Sequence, residues 1–294
     1  MRFVHSLWSS PSLNYRWNFD AETATLGNIW YYTLSAAYIQ RLKEDIVLYT
    51  DTFGKECLDH IPYKNIYSIL DDKLPVDTCP IMWACSKFYA LENEPLGSIH
   101  IDGDVFIKSS KCLDIINSES CDMFCQGEED ISFITCKKTT ELYEDNSNWI
   151  SHLTFPEGAN RHGKNAYNTG ILAFYNEGLK KKFIDAYFFM FDQVLKDEFL
   201  LKKWEENRDI CPDLVIEQRF IHDLSQGFNV RTLIDYYRLR IHEDACAIGF
   251  QHVLSKSKYN MIDKCKKALQ KVDNNLYLLT EQKVKQIKEK YFSN

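Results

Sequence analysis

The chain has 294 residues, 45% hydrophobic and 26% charged, a length and composition that suit one large globular domain and exclude a disordered or fibrous chain. Its 35 Lys and Arg against 42 Asp and Glu leave a net charge of −7, which argues against a protein whose main task is neutralising nucleic-acid phosphates. No apolar run approaches the ~20 residues of a membrane helix, and the first residues lack the basic and apolar parts of a signal peptide. The ten cysteines then read as reduced thiols of a cytoplasmic protein, and no CxxC pair suggests zinc.

In chain order, Arg2–Leu7 reads as a strand, and Trp30, Leu34, Ala37 and Tyr38 recur at helical spacing after Asn28, a candidate cap. Ile46–Tyr49 predicts a second strand, Phe53–His60 a short helix, Ile66–Leu70 a strand, Met82–Leu91 a helix and Ser98–Ile107 a fourth strand. This alternation implies a parallel, doubly wound α/β sheet whose ligands bind beyond the carboxyl ends of the strands. Further on, Tyr167–Tyr175 predicts a strand, Leu179–Lys196 a largely buried helix, Asp213 the cap of a helix running to about Gln226, and Phe228–Ile234 a strand. From Asn260 a Lys-rich helical tail follows, interrupted at Asn274 and Asn275. One domain over 1–256 and a basic helical extension over 257–294 is the economical division.

The sharpest feature is Asp102-Gly103-Asp104, two carboxylates inside an otherwise apolar strand pattern. Ionised carboxylates do not enter a buried strand without a partner. On one strand the two side chains share a face, and Gly103 permits close backbone approach, so the pair suits a divalent cation bound to a diphosphate. Alternatively the strand ends at Ile101 and both acids lie in a solvated turn. A second feature is Glu217. At about 100° per residue it falls within the arc occupied by Leu214, Ile216, Phe220, Ile221 and Leu224. A carboxylate on an apolar face is either ion-paired to a core Lys or Arg or serves a reaction.

Taken together, Asp102-Gly103-Asp104 after three β-α units, Asn168-Thr169-Gly170 on an apolar strand, Glu217-Gln218 at a helix start and Gly249-Phe250-Gln251-His252 resemble an ordered motif set. The set is similar to that of the retaining glycogenin-like and lipopolysaccharide-galactosyltransferase-like glycosyltransferases, over roughly residues 1–256. The resemblance implies a GT-A (Rossmann-like) fold, a mostly parallel sheet flanked by helices, with a C-terminal helical extension. It implies a metal-dependent glycosyltransferase that moves a sugar from a nucleotide-sugar donor, a UDP-sugar first, to a glycan, lipid-linked or protein acceptor, with retention.

Under that resemblance Asp102, Asp104 and His252 hold Mn²⁺ or Mg²⁺, and Glu217 and Gln218 face the sugar. Asn168 and Gly170 belong to the donor site. Trp8, Ser9 and Asp51, after the first two strands, either take the base and ribose or belong to merely polar loops, and Trp83 and Lys87 either pack against and neutralise the nucleotide or leave Lys87 as a solvated lysine. Glu128, Glu129 or Asp130 touches the donor sugar, and Arg161, His162 and Lys164 form a loop over the diphosphate or acceptor. The family's His-x-x-Gly-x-x-Lys-Pro signature is reduced here to His252-x-x-x-Lys256, which leaves Lys256 for the diphosphate, and the family's Asp before Gln is Glu217.

Two other classes fit parts of the pattern. A haloacid-dehalogenase-type phosphatase also uses DxD, although its nucleophile normally follows the first strand, and a non-catalytic nucleotide-sugar-binding protein would keep the metal site. Gly158–Asn165 nearly spells a P-loop, but Asn165 stands where Ser or Thr would hold magnesium, and a strand rather than a helix follows. The Lys-rich tail is either a solvated helix face or a peripheral contact with an anionic membrane surface.

Overall fold

The computed structural model describes residues 1–9, 20–74, 82–117, 120–130, 153–159, 165–206, 213, 215–235, 241–253 and 257–293. Seven strands form the main sheet: β1 (Arg2–Leu7), β2 (Asp45–Thr50), β3 (Ile66–Ser68), β4 (Ile99–Ile101), β6 (Met123–Asp130), β7 (Asn165–Phe174) and β8 (Val230–Asp235). Their order is β3-β2-β1-β4-β7-β6-β8. β1, β2, β3 and β4 pair in parallel, as does β6 with β8, whereas β7 runs antiparallel to both its neighbours. The parallel pairing expected from the first four strands is present, and the sheet is mostly parallel as expected, with β7 the antiparallel strand. Alternation of apolar residues marks a strand but carries no direction.

Helices cover both faces of this α/β sheet. On one side α4 (Cys85–Asn93) and α6 (Glu177–Lys196) pack against the sheet through Phe88, Phe183 and Tyr187. On the other, α1 (Ala21–Arg41) packs through Ile29, Tyr32 and Ile39 against residues of β1 and β2. α1 begins well before Asn28, because the Asp20 carboxylate accepts the Thr23 amide at 2.7 Å and caps it. Its middle is buried almost all round, so the apolar residues give little helical period from which to find its start.

The strand expected over Ser98–Ile107 breaks in two. β4 ends at Ile101, the chain turns through Asp102 and Asp104, and β5 (Val105–Ile107) leaves the main sheet to pair antiparallel with β9 (Phe250–His252). The Lys-rich tail forms α10 (Ser257–Val272) and α11 (Asn274–Tyr291), the second capped by Asp273. Both pack on α1, with Cys265, Leu269 and Leu276 buried among Trp30, Tyr31 and Leu34. No described helix is long and apolar enough to cross a membrane.

Candidate functional site

The sheet order reverses between β1 and β4, the kind of switch point beyond which open α/β sheets bind ligands. Asp102 follows β4 there. Its amide donates to the Gly170 carbonyl at 2.9 Å, and the Val105 amide returns to the Asp102 carbonyl at 3.0 Å. The acids therefore lie in a turn, as the solvated-turn alternative had it, yet Asp104 is buried and the side chain of Asp102 is 32% exposed. Gly103 is dictated by packing, since a Cβ there would collide with the Tyr32 ring.

The β5–β9 ribbon supplies the third group. Val105 pairs with His252, and the Val253 amide donates to the Asp104 carbonyl at 3.1 Å. His252 Nε2 lies 3.4 Å from Asp104 Oδ1. Asp102, Asp104 and His252 thereby bring one potential ligand atom each within 4.8 Å of one another. The imidazole fits because residue 170 is Gly: a Cβ would stand 2.7 Å from Cε1 and 2.9 Å from Nδ1 of His252. Burial would raise the Asp104 carboxyl, but Lys258 and His252 outweigh it and hold the group well below the usual carboxylate range.

Two observations bear on whether this group suits a divalent cation. The Nδ1 atom of His252 is buried without a hydrogen-bond partner among the described residues. The Lys258 ammonium, at the start of α10, already lies in ion-pair contact with Asp104 Oδ2, so a positive charge is favoured at this spot. Two carboxylates and an imidazole are a mostly hard donor set of the kind Mn²⁺ and Mg²⁺ accept, the imidazole favouring Mn²⁺.

Lys87 joins this cluster to the Glu217 segment. It is buried in the first turn of α4, 3.0 Å from Asp102 Oδ1, and donates to the Thr169 carbonyl at 3.0 Å and to Glu217 Oε1. Thr169 also donates its hydroxyl to Glu217 Oε1. Burial would lower the Lys87 ammonium, but Asp102 and Glu217 reverse that and hold it above its ordinary value. Val215–Arg219 is a π-helical turn rather than the start of a regular helix, and α8 (Phe220–Leu224) follows it. Such turns are frequent at functional sites. The Asp213 carboxylate accepts the Ala84 amide and the Tyr187 hydroxyl, tying the approach to α4 to α6. Gln218 Oε1 is buried with no hydrogen-bond partner among the described residues.

The remaining expected site residues divide. Asn168 Nδ2 donates to Glu129 at 2.6 Å and its Oδ1 accepts the Gly170 amide at 3.1 Å, while burial pushes the Glu129 carboxyl up. Glu128 accepts from Asn165 and lies 3.5 Å from His222 Nε2. Trp8 is buried in the core beside Leu70 and Leu74. Asp51 is equally buried: Oδ1 caps α2 (Thr52–Leu58) through the Gly54 amide at 2.6 Å, and Oδ2 accepts the amide and hydroxyl of Ser9. These contacts tie Asp51 to Ser9 and to the first turn of α2. Lys256, Arg161, His162 and Lys164 lie outside the described residues, as does the side chain of Asp130.

Lys258 and Thr169 were not singled out in the sequence. Lys258 follows His252 closely in the chain, and its place at the start of α10 brings it to Asp104. The family model described as Family of unknown function (DUF6734) matches residues 1–291, so the chain belongs to that family. No curated protein matches it.

Proposed function

We propose that this member of the DUF6734 family is a metal-dependent glycosyltransferase on a GT-A-type fold, transferring a sugar from a nucleotide-sugar donor, a UDP-sugar first. The observation that carries the reading is the convergence of Asp102, Asp104 and His252, about 150 positions apart in the chain, at the switch point of the sheet. A divalent cation there would act as a Lewis acid toward the departing nucleoside diphosphate.

The chain's own residues would do the rest. Asp102, half turned to solvent and fixed by Lys87, holds its carboxylate at the cleft. Lys258, in ion-pair contact with Asp104, would on donor binding face diphosphate oxygens in its place. Glu217, anchored through Oε1 by Lys87 and Thr169, keeps Oε2 for the sugar or acceptor, and Gln218 offers an unfilled acceptor beside it. Should the reaction invert the anomeric centre, Glu217 is the general base. The ion pair and the reactive role that the sequence left as alternatives for Glu217 are compatible here, because the pair positions the group.

The test is turnover. With Mn²⁺ and a panel of nucleotide sugars but no acceptor, the chain should slowly release free sugar from one donor, and Glu217→Gln should lower that rate by ~10²-fold or more. No sugar release from any donor at metal saturation would leave a nucleotide-sugar-binding protein. Hydrolysis of a generic phosphomonoester, abolished in Asp102→Asn and without sugar release, would replace the proposal by a phosphatase.

A further inference from the structure

We infer that the groove between α1 and α10 is a second binding site, for an anion carrying two or more phosphate groups, separate from the Asp102–Asp104–His252 centre. The groove encloses about 420 Å³, and Arg41, Lys264, Lys267 and Lys271 line it. Among the described residues none of these four cations lies within ion-pair distance of a carboxylate. Every other described lysine from 258 to 290 does: Lys266 meets Asp263, Lys283 Asp59, Lys285 Glu289, Lys288 Glu22 and Lys290 Glu56, besides Lys258 on Asp104. In a chain with an excess of seven acids, this pairing of the tail's lysines stops at the groove.

The arrangement is costly without a ligand. Lys264, Lys267 and Lys271 stand at i, i+3 and i+7 on one helix, so each adjacent pair is a like-charge neighbour that weakens the helix. Arg41 and Lys271 have a local justification, since each sits in the last turn of its helix, where a cation meets unsatisfied carbonyls. Lys267 has only Asp263 four residues before it, beyond ion-pair distance and already paired with Lys266, and Lys264 has no acid three or four residues away. At 1.5 Å per residue the lysine stripe is ~10 Å long. That length accommodates two or three linked phosphates, each with one to two negative charges, and the Arg41 fork suits a phosphate bidentately. Tyr38, Ala268 and Val272 complete the lining with apolar surface, which excludes water beside the charges. The ligand is either a soluble phosphorylated molecule or the headgroup of an anionic lipid, and the two share this chemistry.

Titration calorimetry of the full chain with inorganic tripolyphosphate, in chelator so that the metal centre is silent, tests the first source. Co-sedimentation with phosphatidylcholine vesicles, with and without cardiolipin, whose headgroup carries two phosphates, tests the second. The wild type should bind at least one probe, tripolyphosphate alone identifying a soluble ligand and cardiolipin vesicles a headgroup. The triple change Lys264→Gln, Lys267→Gln, Lys271→Gln should weaken that binding at least ~10-fold. A control with the same charge change outside the groove, Lys285→Gln, Lys288→Gln, Lys290→Gln, should weaken it by less than ~3-fold. Circular dichroism checks that both fold, and the single change Lys267→Gln, expected to weaken binding by ~3-fold or more, serves if the triple variant does not. Equal losses in groove and control variants, or no wild-type binding to either probe, overturn the inference.

Discussion

Replacing Lys87 by Met keeps most of the side chain's volume and removes the cation that Asp102 and Glu217 share. The Asp102 side chain is 32% exposed and can be rehydrated, but Glu217 is 4% exposed, and among the described residues no other Lys, Arg or His lies within ion-pair distance of it. Leaving a buried carboxylate unpaired costs ~3–5 kcal/mol. With an unfolding entropy of about 2.1 cal/mol/K per residue over 294 residues, that loss lowers the melting midpoint by roughly 5–8 °C. Glu217→Gln should cost less, ~1–3 kcal/mol, because Lys87 keeps Asp102 and the Thr169 carbonyl, each at 3.0 Å. In the double variant Lys87→Met, Glu217→Gln the stranded charge is gone, so its stability should exceed that of Lys87→Met alone by at least ~1 kcal/mol. Urea unfolding of the four proteins closes the cycle. Additive losses, or a Lys87→Met protein as stable as the wild type, would show that Lys87 and Glu217 are not the coupled pair described above.

Gly170→Ala drives a methyl group against the Gln126 amide and the His252 ring, and should cost the metal-free protein ~1–3 kcal/mol and lower metal affinity ~10–100-fold; unchanged affinity in metal titration of the folded variant counts against His252 as a ligand. Gly103→Ala presses on the Tyr32 ring and should cost ~1–3 kcal/mol in chemical denaturation, a neutral result meaning that the turn relaxes freely. Stability should also depend on pH. Burial, helped by Lys283, lowers the His60 imidazole to about 4, and burial lowers His5 to about 3, so both rings stay neutral in the fold while the unfolded chain takes up protons near pH 6.5. Their stabilisation is complete above pH 6.5 and lost as the pH falls toward 4, by roughly 3 kcal/mol for His60 alone. A urea midpoint constant from pH 7 to 4.5 would contradict this.

How much of this was legible in the sequence depended on whether local pattern or distant pairing decided the matter. β1, β2 and β6–β8 occupy apolar runs bounded by polar turns, and four of these strands lay close to where the apolar pattern put them. β6 was not predicted as a strand. The break after Ile101 is only one of two alternatives in the sequence because Val105-Phe106-Ile107 continues the apolar pattern, although those residues face a different partner, β9. Nothing local reveals that pairing, yet it is the pairing that sets His252 beside Asp104. Asp102 and Asp104 stood out because charge interrupted an apolar run, whereas Lys87 gave no sign of its partners, since the carboxylate it anchors is 130 residues away. The capping role of Asp51 was not legible either, since a polar residue after a strand looks the same whether it meets a ligand or caps the next helix.

The central claim is that Asp102, Asp104 and His252 hold a divalent cation to which a nucleoside diphosphate binds. Calorimetric titration of UDP into the full chain, with Mn²⁺ and again with excess chelator, measures it directly. UDP should bind at least ~10-fold more tightly with Mn²⁺, and Asp104→Asn should erase the difference while leaving the protein folded. Equal UDP affinity with and without the metal, in a wild-type protein that binds UDP, would contradict the account.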